Sequence, residues 1–336
     1  VPVGEPALGR ERLRVARGSA EPLVPVETLL RALPDDAAVE QARPLLPVGY
    51  AAGVDAYRSA VAALSAHDLT THYTEGLDFF HGELVPKVKA RLTALTGGAW
   101  SLDDHEAFAA GSDVDFMAHV VEAVAAREEV CIFPGDWHGF AVGCTHPEKI
   151  RWTEDARGRL ACLCIPSVRN GHVTDDMLTS LEGASACLLN LNLLPTLAPD
   201  ERHSVARRLA PVLGKSILSI SFSRGFGLTA SQLGVALVPR NHPYRERFGK
   251  SWSWFTYFYN AIAARAFMAI DHQRLEAVDE ERRRWVWQWL EERSLPVVRS
   301  GSYYVKSFRV DGPVPGRLAP LARDGVVRLC LKPPQA

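Results

Sequence analysis

The chain has no excess of charge of either sign. Its 38 Lys and Arg nearly balance its 39 Asp and Glu, leaving a net charge of -1 over 336 residues. No run of basic residues stands out, so nucleic acid and anionic membrane surfaces are not expected partners. No CxxC pair occurs among the six cysteines, at 131, 144, 162, 164, 187 and 330. Cys162 and Cys164 would face the same side of one strand, but most of the cysteines sit in apolar runs and read as small core residues, so no metal is expected. The first eighteen residues contain no apolar run of the kind a secretory signal needs. The one long apolar stretch, 252–270, contains Asn260 and Arg265. It reads as a buried or interface helix and not as a membrane span, so a cytoplasmic location is expected. Internal repeats and low-complexity tracts are absent too.

What is present is enough apolar material, 47% of the residues, for a large domain and a smaller one. The first 45 or so residues, rich in Pro, Arg and Glu, read as an arm with one short helix. Helical spacing follows over 51–66, 82–95 and 113–128; the second helix is ended by Gly97-Gly98. Then the period changes. Short apolar runs at 130–133, 160–165, 187–191, 217–222 and 233–238 alternate with helical or loop material. Such runs argue for a mostly parallel sheet covered on both faces. A long helix over 271–293 and two further strands, 302–310 and 325–331, complete the pattern. The expected class is α/β: a large domain over 51–270 with a mostly parallel sheet, and a smaller α+β C-terminal domain over 271–336. Residues 1–50 would form an arm that joins the smaller domain.

The most informative segment is 219–239. One apolar strand ends in Ser221-Phe222-Ser223, the turn Arg224-Gly225-Phe226-Gly227-Leu228 follows, and a second apolar strand begins. This resembles the lysine segment of class I/II aminotransferases, S-F-S-K-x-F-G-L-x-G-x-R-L-G. Ser221, Phe222, Ser223, Phe226, Gly227, Leu228, Leu233 and Gly234 fall in register. Those enzymes belong to the fold-type I superfamily that depends on pyridoxal phosphate (PLP). Further pieces resemble the family in the right order. Gly111-Ser112 at a helix start is similar to the turn that holds the PLP phosphate. Pro134-Gly135-Asp136-Trp137 is similar to the place where an aromatic ring stacks on the pyridine. Pro195-Thr196 is similar to the tail of N-P-T-G, and Arg328 to the arginine that grips a substrate carboxylate. The resemblance covers about 70–331 and implies an aminotransferase-like large domain and a homodimer.

The pattern is broken where the cofactor would be held. Arg224 stands in the lysine position, and a guanidinium neither forms a Schiff base nor acts as a useful base. Gln232 replaces an arginine that pairs with the phosphate, and Leu194 an asparagine that contacts the pyridine oxygen. The strand that carries the family's aspartate has no counterpart between Thr196 and Ser216. Asp113 and Asp115 would repel a phosphate from the helix start. These departures predict that PLP is not the cofactor and leave room for another prosthetic group.

The reading that follows is a PLP-independent enzyme acting on an amino-acid-like or otherwise anionic small molecule, in specialised metabolism. Arg224 and His138 are the candidate catalytic residues. Arg328, Trp137, Ser221, Ser112, Tyr73 and His81 are the candidate substrate-binding residues. Each has a plainer alternative: a salt-bridged remnant for Arg224, a surface strand residue for Arg328, a structural loop histidine for His138, and dimer contacts for Tyr73 and His81. Two other functions remain open. One is a non-catalytic scaffold or regulator, and the other is a PLP enzyme that binds its cofactor noncovalently, as a lyase or dehydratase.

Overall fold

The computed structural model describes residues 21–43, 49–65, 73–111, 113–228, 233–246 and 257–333. The chain opens with β1 (Leu23–Val24), α1 (Val26–Ala32), α2 (Asp36–Gln41), α3 (Ala51–Ala62), α4 (Tyr73–Phe79) and α5 (Val85–Leu95). Next come β2 (His105–Gly111), α6 (Asp113–Ala125), β3 (Val130–Ile132), β4 (Ile150–Trp152) and β5 (Leu160–Cys164). They are followed by α7 (Asp175–Gly183), β6 (Ala186–Asn190), α8 (Pro199–Leu209), β7 (Ser216–Ser221) and β8 (Gly234–Pro239). The described chain ends with α9 (Tyr257–Ala269), α10 (His272–Glu292), β9 (Val305–Val310), β10 (Ala322–Arg323) and β11 (Val326–Cys330).

Among the described residues the strands form a seven-stranded sheet, ordered β2-β8-β7-β6-β5-β3-β4, and a four-stranded sheet, β1-β9-β11-β10. The large sheet is parallel from β4 through β7; only β8 runs against its neighbours. Its central strands are mostly apolar and fully buried because both faces are covered. Leu160, Cys162 and Cys164 of β5 enter one apolar cluster, while Ala161 and Leu163 enter the other. Leu23 and Val24 pair in parallel with Arg309 and Val310 of β9.

Several elements differ from the sequence expectation, two of them for clear reasons. The helix expected over 82–95 is interrupted: Phe80–Leu84 is a π turn, in which the Val85 N–H reaches back to the Phe80 carbonyl. Pro86 sits at the start of α5 and lacks an N–H, so the regular ladder cannot run through it. Strand β2 was not expected. Its sequence, HEAFAAG, has no β-branched residue, and its pairing with β8 alone makes it a strand.

Helix α3 and the turn after β7 meet more closely than any side chain allows. A Cβ on Gly53 would lie 1.9 Å from the carbonyl oxygen of Gly227, a residue held at φ +101. Glycine to alanine in an open helix stabilises by up to about 1 kcal/mol. Here Gly53→Ala is expected to destabilise by about 1–3 kcal/mol through overpacking, read as a lower urea midpoint at unchanged m. A midpoint at or above that of the parent would show that α3 is free to shift.

Candidate functional site

The parallel strands send their carboxyl ends, and the loops after them, to one edge of the large sheet. Strand β2 runs the same way, because two antiparallel pairings through β8 restore its direction, so α6 leaves from that edge too. Ligands of open α/β sheets bind at such an edge. Facing it, β9 and β11 of the small sheet close a cleft of about 180 Å³. The large sheet contributes Val114 from the first turn of α6, Trp137 after β3, Asn190 and Asn192 at the end of β6, and Ser223 after β7. The small sheet contributes Tyr304, Val305, Arg328 and Cys330.

Among the described residues, Arg328 is the charged group of this cleft. It pairs across the strands with Ser307, is 8% exposed, and donates from Nη1 to the Val168 carbonyl at 2.9 Å. Its Nε is buried without a hydrogen-bond partner among the described residues. Burial lowers its pKa, yet a guanidinium stays charged at any ordinary pH. A buried, incompletely bonded cation of this kind is satisfied by an anion.

Opposite Arg328 the polar groups form a chain. The Asn192 N–H donates to Asn190 Oδ1 at 3.0 Å, and the Ser221 N–H donates to Asn192 Oδ1 at 2.7 Å. Ser221 Oγ and Ser223 Oγ lie 2.8 Å apart. Because a backbone N–H can only donate, it fixes each amide oxygen and leaves the amide NH2 of Asn190 as that side chain's donor. Beside them Asp136 is 2% exposed, and burial pushes its carboxyl up to about pKa 6.

Of the residues singled out in the sequence, Trp137 and Arg328 line the cleft. Ser221 is one bond behind it, through Ser223. His138 is exposed with its ring 4.8 Å from that of Trp152, and His81 is exposed in the π turn, edge-on to Phe80; neither lines the cleft. Ser112 lies outside the described residues, as do the side chains of Tyr73 and Arg224. Cys162 is packed in the core between Ile132 and Leu188, while Cys164, also buried, pairs with Asn190 and lines the cleft. Among the described residues no cluster of three His, Cys, Asp or Glu could hold a metal. No helix among them is long and apolar enough to cross a membrane. Sequence reasoning missed Asn190 and Asn192. The available signal was an asparagine closing an otherwise apolar strand, ACLLN.

Residues 197–215 do hold only α8 and a 3-10 turn, as expected, but β6 lies directly between β5 and β7 and is parallel to both. Strand β7 runs into the lysine-like turn, β6 is its parallel neighbour in the sheet, and Asn190 ends β6. Leu194 is fully buried in the 3-10 turn that follows, away from the cleft lining, so it displaces no cleft asparagine.

No protein-family model and no curated protein matches the chain. Solved structures do. The aromatic aminotransferase of Pyrococcus horikoshii OT3 superposes with a TM-score of 0.56 at 18% identity, over 87% of this chain and 89% of that one. A histidinol-phosphate aminotransferase from Sinorhizobium meliloti gives 0.54 at 14% identity, over 94% and 92%. A C-S lyase from Staphylococcus hominis gives 0.59 at 10% identity, over 86% of each chain. The fold is that of the fold-type I PLP enzymes. The S. meliloti structure is a complex with PLP and the S. hominis lyase is PLP-bound. This corrects the expectation of a cleft without cofactor: the structural neighbours point to PLP. One ground for that expectation is also weakened by geometry, since Asp115 on the first turn of α6 is exposed, where water screens its charge.

Proposed function

We propose that the cleft binds PLP noncovalently and that the chain acts on an amino acid held through its carboxylate by Arg328, as a lyase or dehydratase. The observation that carries this reading is the buried Arg328 with its unpartnered Nε, in a cleft at the carboxyl edge of the sheet. The donor set fits the cofactor. Trp137 supplies an aromatic wall for the ring, and the first turn of α6, which Val114 brings to the cleft, offers the positive end of a helix to the phosphate. Asn190, at the end of the strand beside β7, and Asn192 and Ser223 supply further polar atoms. When bound, PLP supplies the electron sink that stabilises negative charge at a substrate α-carbon.

The chain's own residues do the rest. Arg328 orients the substrate by its carboxylate and cancels that charge inside the cleft. Noncovalent binding follows from arginine at 224, and no lysine is among the described residues that line the cleft. Lys306 comes near, because burial lowers its pKa to about 8. However, its Nζ donates to the Ser300 carbonyl at 2.9 Å, and strand alternation puts Val305, not Lys306, on the cleft face. Without a lysine to shuttle protons, elimination is favoured over transamination. Absorbance titration of the purified protein with PLP tests the reading. The expected result is a saturable shift, with the cofactor removed again by dialysis. A spectrum that ignores PLP overturns the proposal, and cofactor fixed to a lysine by borohydride overturns its noncovalent part.

A further inference from the structure

Two walls of the cleft come from different loops, and one carboxyl group bonds to both. Asp136 accepts from the Trp137 N–H at 2.6 Å, from the Ser167 hydroxyl at 2.9 Å and from the Cys164 N–H at 3.3 Å. Trp137 is the aromatic wall. Ser167 opens a tight turn after β5, in which the Gly171 N–H donates to the Ser167 carbonyl at 2.8 Å and the Ser167 N–H to the His172 carbonyl at 3.0 Å. That turn is the mount of the small sheet. The Val168 carbonyl accepts from Arg328 Nη1 at 2.9 Å, and the Arg169 carbonyl accepts from Ser307 Oγ at 2.5 Å. Arg328 and Ser307 are themselves a cross-strand pair.

We propose that Asp136 is a positioning residue that ties the Trp137 wall to the mount of Arg328, and that the cleft is assembled for an anionic, ring-bearing ligand only while its carboxyl is ionised. With the Cys164 thiol, four donors converge on it, and an ionised carboxylate accepts from all of them. A protonated carboxyl turns a hydroxyl toward one of these donors and loses that bond. The groups around it are the Cys162 and Cys164 thiols of β5 and the Arg328 guanidinium, with Arg169 and Asp324 packed beside Gly135. Burial keeps the Cys162 thiol neutral, and the guanidinium groups are charged throughout. With the Asp136 carboxyl raised to about 6, the transition falls just below neutral pH. The tie between the two walls stands on the geometry alone, whereas its effect on PLP rests on the function proposed above.

The test uses two readouts on the full chain. The first is the emission of Trp137, taken as the difference between the parent and Trp137→Phe. It is expected to change with a midpoint near pH 6 and to lose that change in Asp136→Asn. The second is PLP affinity by absorbance titration, expected to be about tenfold weaker in Asp136→Asn at pH 7.5 and equal to the parent at pH 5. Taking the ratio of the two proteins cancels the titration of the ligand's own phosphate. Ser167→Ala keeps the carboxyl and cuts one tie, so it serves if Asp136→Asn does not fold; it is expected to weaken L-alanine binding more than PLP binding. Equal affinities at pH 7.5, or a Trp137 signal without the transition, would overturn the role of Asp136. A transition that is intact in the parent and lost in the variant, with no PLP binding in either, would sink the PLP reading and leave the positioning role standing.

Discussion

Arg328→Leu is expected to weaken amino-acid binding to the PLP-loaded protein roughly a hundredfold while leaving PLP affinity within about threefold. A hydrogen bond to a charged group contributes about 1.5–3 kcal/mol, and a fork-to-carboxylate pair makes two. The partners of the ring and of the phosphate lie on the other wall, at Trp137 and the first turn of α6, and are untouched. Stability is expected to move the opposite way. Arg328 is 8% exposed with an unbonded Nε, so replacing it with an apolar residue removes a buried, incompletely satisfied charge. A gain of about 1 kcal/mol, or no loss, is expected by denaturation. Arg328→Lys keeps the charge but not the fork and should fall between the two in affinity. The measurement is calorimetric titration with an amino acid in the presence of saturating PLP. Unchanged affinity in Arg328→Leu would mean that the carboxylate binds elsewhere.

Asp279→Ala is expected to be the most destabilising single change, by about 3–5 kcal/mol. Asp279 is 1% exposed on α10, and its Oδ1 accepts from the Tyr50 hydroxyl at 2.8 Å and the Tyr303 hydroxyl at 2.7 Å. Arg282 lies 3.6 Å away, itself 3% exposed, with its guanidinium over the Tyr50 ring. Alanine would leave two buried phenols without an acceptor and a buried cation without its counter-charge. Asp279→Asn retains one acceptor and should lose less. The network also bears on the cleft, because Tyr303 precedes Tyr304, which lines it.

The pH dependence follows from the sign of the shift. Burial raises the Asp279 carboxyl to about 6, above the value of about 4 in an unfolded chain. The folded state therefore holds the proton more tightly. This group's contribution to stability is full below about pH 4 and is lost as pH rises through about 6. Urea midpoints at several pH values should show that trend in the parent and lose it in Asp279→Asn. A loss below 1 kcal/mol in Asp279→Ala would show that water replaces the carboxylate.

The strands of the large sheet were legible because each is a short apolar run with both faces covered, and continuous burial leaves a continuous apolar signature. Strands β2 and β4 were not legible. They lie at the two edges of the sheet, where pairing with one neighbour overrides weak propensity. The lysine-like turn was legible because glycine at 227 and the serines around 221–223 are demanded locally by a sharp turn. Trp137 and Arg328 could be named from the same resemblance, but His138 and His81 could not be told from cleft residues. A side chain's direction depends on what it packs against, and theirs pack on Trp152 and Phe80.

By itself, then, the sequence determined the class of fold, five strands of the large sheet and the arginine at 224, because periodicity and local turn chemistry are properties of neighbouring residues. Only the tertiary structure decided that β6 lies beside β7 in the sheet, that Asn190 and Asn192 line the cleft, and that Asp136 ties its two walls together. Those facts rest on hydrogen bonds between loops 28 or more residues apart, such as Asp136 with Ser167 and Asn192 with Ser221. No local pattern encodes such bonds, since the sheet that brings the loops together forms only when the whole chain is folded.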